Sequence, residues 1–295
     1  MTMRKVLKWL GIGLGGLLGL VLIAATVLFF IGRSKLGRTY KPGPVIAAAP
    51  ADPASVARGE HLVRIHACTF CHGDNLGGKR FLDIPPALVI PPNLTRGKGG
   101  VGGRYRPADW DGAVRYGVRP GGKMLLPFMP YHLYNRLGDT DMAAMAAYLG
   151  TLPPVDNDTL PKSKFRPLGF VMLATMDPRE GLDDPRSPMP AQVASAEYGR
   201  YLASTTCVEC HGDRLQGGKH PDPSAPPVPG LAGAGTWTRE GFARAMRTGV
   251  TPYGRRLSDA MPWEIAYRHL SDDEIAGLHL YIQSLYPQPA AAPAR

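Results

Sequence analysis

Residues 68–79 read CTFCHGDNLGGK: two cysteines two residues apart, with a histidine directly after the second. Three chemistries begin this way. A dithiol redox pair needs Cys-x-x-Cys with a lowered thiol pKa, usually in a βαβ setting. A zinc site needs four ligands close together. Covalent haem attachment needs two thiols for the two vinyl groups and an imidazole on the next residue for the iron. The stretch alone leaves all three open.

Its surroundings narrow the choice, because the chain contains an internal repeat. CTFCHGDNLGGK is matched by CVECHGDRLQGGK at 207–219 with one inserted residue, and RYGVRPGGKMLLPFMP (115–130) by RTGVTPYGRRLSDAMP (247–262) without a gap. LGDTDMAAMAAYLGTLPP (137–154) matches LSDDEIAGLHLYIQSLYP (270–287). Each copy runs helix, Cys-x-x-Cys-His, loop, helix, Met-Pro, helix. The chain's four cysteines, Cys68, Cys71, Cys207 and Cys210, all fall in the two motifs, so none is spent on a structural disulfide. The pairs lie in separate repeat units and no strand pattern surrounds them, which disfavours zinc and thiol exchange. Two covalently attached haems are expected, with His72 and His211 as proximal ligands.

The repeat also nominates the sixth ligands. Met129 and Met261 fall in register, each followed by proline and an aromatic residue, Tyr131 or Trp263. Met124 and His132 compete in the first copy but align with Arg256 and Glu264. His–Met coordination closes the iron and suits electron transfer rather than catalysis. His61, His66, His220, His269 and His279 have no counterpart in the other copy and read as surface or core residues. Arg115 and Arg247 are repeated; each is either a partner for haem propionates or a solvated helix charge. Trp110, aligned with Phe242, reads as core, and Asn93-Leu94-Thr95 as shaping a loop over the haem edge.

The rest of the chain sets the architecture. Trp9 to Ile31 are 23 residues without a charge, flanked by Arg4, Lys5 and Lys8 and by Arg33, Lys35, Arg38 and Lys41. That is long enough to span a bilayer and longer than the apolar core of a cleaved signal, so an uncleaved N-terminal anchor is expected. Gly11, Gly15 and Gly19 follow a helix-packing spacing. The expected fold class is all-α: an anchor over 1–32, a tether over 33–52, helical haem domains over 53–155 and 191–287, a linker over 156–190 and a tail over 288–295. Asp139 and Asp272 mark helix starts. The Pro-rich stretches 82–92 and 221–230 read as loops. FRPLGFVMLATM (165–176) is too apolar for a free linker and is expected to pack on the domains or on a partner.

The net charge of +10 is uneven: +6 over 1–52, +5 over 53–155, and near neutral over 191–287. Without clusters of basic and aromatic residues, nucleic acid is not an expected partner. The basic first domain instead suits an acidic protein partner.

CTFCH, CVECH, FMP, AMP and closing helices that end Tyr-Leu-x-x-Leu and Tyr-Ile-x-x-Leu resemble the class I c-type cytochromes. PPNLTRGKGG, VRYGVRPGGK, PFMPYHLYNRLGDTDMAAMAAYLGTLPP and LPKSKFRPLGF are similar to the cytochrome subunits of membrane-bound alcohol and aldehyde dehydrogenases. The resemblance implies a class I cytochrome fold and electron transfer. Cys68, Cys71, Cys207 and Cys210 would hold haem, His72 and His211 would be proximal, and Met129 and Met261 distal. Such subunits usually carry three haem domains, against two copies here, so alcohol oxidation is not carried over. The expected function is a membrane-anchored dihaem electron carrier, not an enzyme. Its haem domains would face the periplasm from the bacterial inner membrane, with the N-terminus cytoplasmic. The redox partners would be a dehydrogenase, a quinol-oxidising complex, an oxidase or a soluble carrier. The alternatives are a fixed subunit of a dehydrogenase or oxidase complex and a dihaem peroxidase; Met-Pro at both sites argues against the last.

Overall fold

The computed structural model describes residues 2–50, 52–179, 182, 188–220 and 225–287. The fold is mainly helical. The first helix, α1 (Met3–Gly37), is long and apolar enough to cross a membrane. The first repeat follows with α2 (Pro53–Ile65), α3 (Cys68–His72), the strands β1 (Leu82–Ile84) and β2 (Ala87–Val89), α4 (Pro107–Tyr116), β3 (Val118–Arg119), β4 (Lys123–Met124), α5 (Tyr131–Tyr134) and α6 (Asp139–Thr151). Strand β5 (Lys164–Phe165) and α7 (Pro167–Thr175) lie between the repeats. The second repeat holds α8 (Ala196–Thr206), α9 (Val208–His211), α10 (Arg239–Thr248) and α11 (Asp272–Leu285), with 3-10 turns at Ala234–Thr236 and Tyr267–His269.

Local chemistry sets the helix starts. Asp52 accepts from the Ser55 amide at 2.9 Å ahead of Pro53 and opens α2. Ser271 and Glu274 form a reciprocal capping box before α11. Helices α6 and α11 begin at Asp139 and Asp272, as the sequence predicts. In each repeat the first helix crosses the last where glycine permits backbone contact. A Cβ on Gly59 would overlap the Ala144 carbonyl, and one on Gly199 the Gly277 carbonyl.

The stretch 82–92, expected as loop, instead holds the β1–β2 hairpin, which pairs with β5. Its strands are three residues long, and all of β2 is buried, so no alternating polarity marks them in sequence. Within 221–230, residues 221–224 lie outside the described residues, and Val228 bridges to Gly218. The tail 288–295 also lies outside them. Residues 39–46 are held on the first repeat: Tyr40 donates its amide to Gly122 at 2.8 Å, Tyr116 its hydroxyl to Pro44 at 2.9 Å, and Ile46 its amide to Asp111 at 2.7 Å.

The two repeats share one apolar core, with Leu62, Ile65, Met142 and Met145 from the first and Leu202, Ile275 and Ile282 from the second. A polar network crosses between them. Arg58 reaches Asp141 and Glu274, both at 3.1 Å, and His61 reaches Glu274 at 2.8 Å. Tyr198 donates to Glu274 at 3.1 Å and Tyr201 to Asp141 at 2.9 Å. Matching the crossing glycines Gly59 and Gly199 makes Arg58 the counterpart of Tyr198 and His61 of Tyr201, and the aligned closing helices make Asp141 that of Glu274. Each repeat's first helix therefore reaches the other's carboxylate, the pattern of an isologous dimer built within one chain.

Candidate haem centres

Each Cys-x-x-Cys-His motif forms a short helix, α3 or α9 with the preceding Cys207, and ends at a glycine with positive φ, Gly73 or Gly212. That glycine turns the chain sharply and leaves the histidine buried: His72 is 6% and His211 8% exposed. His72 Nδ1 lies 2.9 Å from the Pro92 carbonyl, and His211 Nδ1 2.9 Å from the Pro229 carbonyl. A carbonyl only accepts, so Nδ1 carries the proton and the Nε2 lone pair is left free. Neither Nε2 takes a hydrogen bond among the described residues. Burial lowers both imidazole pKa values against that hydrogen bond, which keeps the rings neutral. A neutral imidazole oriented through Nδ1–H is the form that binds a metal through Nε2.

The thiols point the same way. Burial pushes Cys68 up to about 12 and Cys207 up to about 11, and it raises Cys71 and Cys210 as well. A dithiol redox site requires the opposite shift. No group of three or more His, Cys, Asp or Glu side chains that could hold a metal ion occurs among the described residues. Two thiols beside an oriented imidazole fit covalently held haem.

The Met129 and Met261 segments are built alike. Leu125 donates its amide to the Gly117 carbonyl at 2.7 Å, and Leu257 to Gly249 at 2.8 Å. Tyr131 and Trp263 donate their amides to Met129 and Met261, both at 2.8 Å. The Tyr131 and Trp263 rings cover Gly117 and Gly249, whose φ values are +61° and +69°; a Cβ at either would strike the ring. This explains why glycine and an aromatic residue recur in both copies. Both methionines are partly buried against the same core as Cys68 and Cys207.

The other candidates separate. Met124 is buried in a small side cluster with Tyr116 and Tyr131. His132 bonds Glu209 of the second repeat at 2.7 Å, and that bond holds the Glu209 carboxyl below its usual range. Asn93 ties the loop to Val155 at 2.6 Å. Arg115 is a correction to both readings of it: it is fully buried, pairs with Asp111 and Asp139, and donates to the Leu137 carbonyl. Arg247 reaches Asp272 and the Arg268 carbonyl. Both arginines thus pair with the first residue of a closing helix. His61 and His66 belong to the domain interface, His66 bonding Thr205 at 3.2 Å. The repeat comparison missed these two because interface residues are those the copies do not share.

A duplicated helical unit presenting paired thiols and an oriented neutral imidazole defines a protein that carries covalent haem. The cytochrome c family model matches residues 56–153 and 196–286, and the chain belongs to that family. Membership implies covalently bound haem c. The chain is similar to the fructose dehydrogenase cytochrome subunit of Gluconobacter japonicus, 27% identical over 294 residues covering 88% of this chain and 58% of that protein. It is similar to the alcohol dehydrogenase (quinone) cytochrome c subunit of Gluconacetobacter polyoxogenes, 28% identical over 286 residues covering 84% and 59%. A "diheme cytochrome c-type" protein of Cereibacter sphaeroides is 28% identical over 265 residues, 80% of this chain and 84% of that protein. The chain thus spans under two thirds of the length of the two dehydrogenase subunits.

Proposed function

We propose that this chain is a membrane-anchored dihaem cytochrome c that passes electrons from a dehydrogenase to a second redox partner. Cys68 and Cys71 would hold one haem, with His72 and Met129 as the side chains offered to its iron. Cys207, Cys210, His211 and Met261 would hold the other in the same roles. The haem iron supplies the one-electron chemistry when bound. The chain's part is to attach, orient and enclose: Pro92 and Pro229 fix the imidazole tautomers, Gly117 and Gly249 seat the methionine segments, and the shared core excludes water. The observation that carries the reading is the duplicated histidine–carbonyl bond, 2.9 Å in both copies.

The anchor is α1, with its N-terminus in the cytoplasm and the haem domains in the periplasm. The acceptor is a quinol-oxidising complex, an oxidase or a soluble carrier. The names of the dehydrogenase subunits it resembles favour a dehydrogenase as donor, and equally support a permanent place in such a complex; dehydrogenase subunits that co-purify in mild detergent distinguish that reading. The test of the sites is optical. The purified chain is expected to carry two haems and a methionine-to-iron charge-transfer band. Met129→Ala and Met261→Ala should each remove about half of that band. A band unchanged by either substitution overturns the ligand assignment.

A further inference from the structure

Helix α7 has no charged residue from Pro167 to Met176 and is apolar all round. Such a helix belongs in a protein core or in lipid. Here only one side is covered: Gly169 and Leu173 are buried, while Leu168 and Met172 are each 50% exposed and Met176 45%. Leu168 and Met172 follow i, i+4 spacing and share a face; Met176 caps the end of the helix.

The inner side is covered at Gly169 by Pro86 and Phe165, and along the rest by the anchor itself. The Phe170 carbonyl lies against Gly32, the one buried residue of α1, where any Cβ would overlap it. The Phe29 and Phe170 rings meet edge to face with centroids 5.2 Å apart. Lys35 donates through Nζ to the Ala174 and Met176 carbonyls, both at 2.7 Å. That closes backbone acceptors at the end of α7 that lipid could not satisfy. The α1 positions involved, 29 to 35, are the last apolar turn and the start of the basic flank. No residue from Trp9 to Ile31 is buried, so lipid that covers this stretch up to Ile31 arrives at the level of α7. Exposed Arg33 in the last turns of α1, with exposed Arg38, Lys41, Lys162 and Lys164 in the segments beside the two helices, places positive charge where anionic headgroups would sit.

We propose that α7 is an interfacial membrane helix, with Leu168, Met172 and Met176 against acyl chains, so that two elements seat the chain on the bilayer. Nine residues make about 14 Å, too short to span but enough to lie in one leaflet. The proposal rests on α1 crossing the membrane.

The test places a diazirine-bearing methionine analogue at Met172 in the full haem-loaded chain in native membranes. The same probe at Leu20 of α1 and at Tyr253, 80% exposed in the second repeat, provides references. After irradiation, phospholipid adducts at Met172 are expected at the Leu20 level and severalfold above Tyr253. Adducts at the Tyr253 level, or adducts mainly to protein, whether a second copy or a dehydrogenase subunit, overturn the proposal while leaving the anchor intact. Loss of lipid adducts at Leu20 removes the anchor, and the proposal with it. An unchanged haem spectrum in each labelled chain shows that the probe has not disturbed the fold.

Discussion

Arg115 and Arg247 occupy equivalent positions but different surroundings. Arg115 and Asp111 side chains are fully buried, whereas Arg247 is 39% and its partner Asp272 86% exposed. Removing one member of a buried pair leaves an unpaired charge and costs about 3–5 kcal/mol; exposed pairs contribute about 0–1 kcal/mol. Arg115→Ala should therefore lower the urea midpoint sharply, and Arg247→Ala should barely move it. Sequence comparison finds the two arginines but misses the difference between them. The difference lies in Asp111, one turn earlier on α4, whose counterpart is Ala243. The Cys-x-x-Cys-His motifs were legible because their residues are neighbours in sequence. The tautomer-fixing carbonyls of Pro92 and Pro229 were not, since they lie 20 and 18 residues away.

Among the elements, the two helix crossings carry the strictest demand. Gly59 on α2 and Gly199 on α8 let one backbone rest on another, and an added methyl must force the helices apart. Overpacking of this kind typically costs about 1–3 kcal/mol. Gly59→Ala and Gly199→Ala should each lower the melting temperature, and a thermal melt followed by circular dichroism reads it. Replacing Gly150, which has nothing within 4 Å of a Cβ, should not. Helical periodicity made these helices legible. The β1–β2 hairpin was not, because its third strand arrives from residues 164–165 and its short strands carry no pattern. Helix α7 was legible as something other than a free linker. Its partner was hidden because Phe29 and Phe170 are far apart in the chain. No described residue outside α1 comes within 4 Å of a Cβ placed at Gly11, Gly15 or Gly19, and α1 packs through Gly32 instead.

For the molecule as a whole, the decisive structure is the network joining the repeats. Burial works to raise the Glu274 carboxyl, but the hydrogen bond and charge of His61, the Ser271 amide and Arg58 hold it down at about 2, against an ordinary 4.5. A depressed folded-state pKa contributes stability that is present above about 4.5 and is lost as pH falls toward 2. Over that range the full loss is roughly 3 kcal/mol. The melting temperature should fall as pH drops from about 4.5 toward about 2, the span of this titration, in the natural chain, and Glu274→Gln should flatten that fall. At neutral pH both haem domains should unfold in one transition, because they share a core; separate transitions seen by Soret absorbance and circular dichroism would contradict this. The repeat made two domains legible. Their joining was not, because it uses the residues by which the copies differ.

The pinned segment after α1 governs how this molecule meets others. Left free, residues 38–52 would let the haem domains wander roughly 20–25 Å. Fastened through Tyr40, Pro44 and Ile46, and with the two repeats sharing a core, they are instead held close to the end of α1; with α1 as the proposed anchor, that sets their height above the bilayer. On that proposed reading, a donor and an acceptor would have to present their redox edges at matching altitudes, and the stem would act as a ruler that sorts partners by stature before any surface chemistry is read.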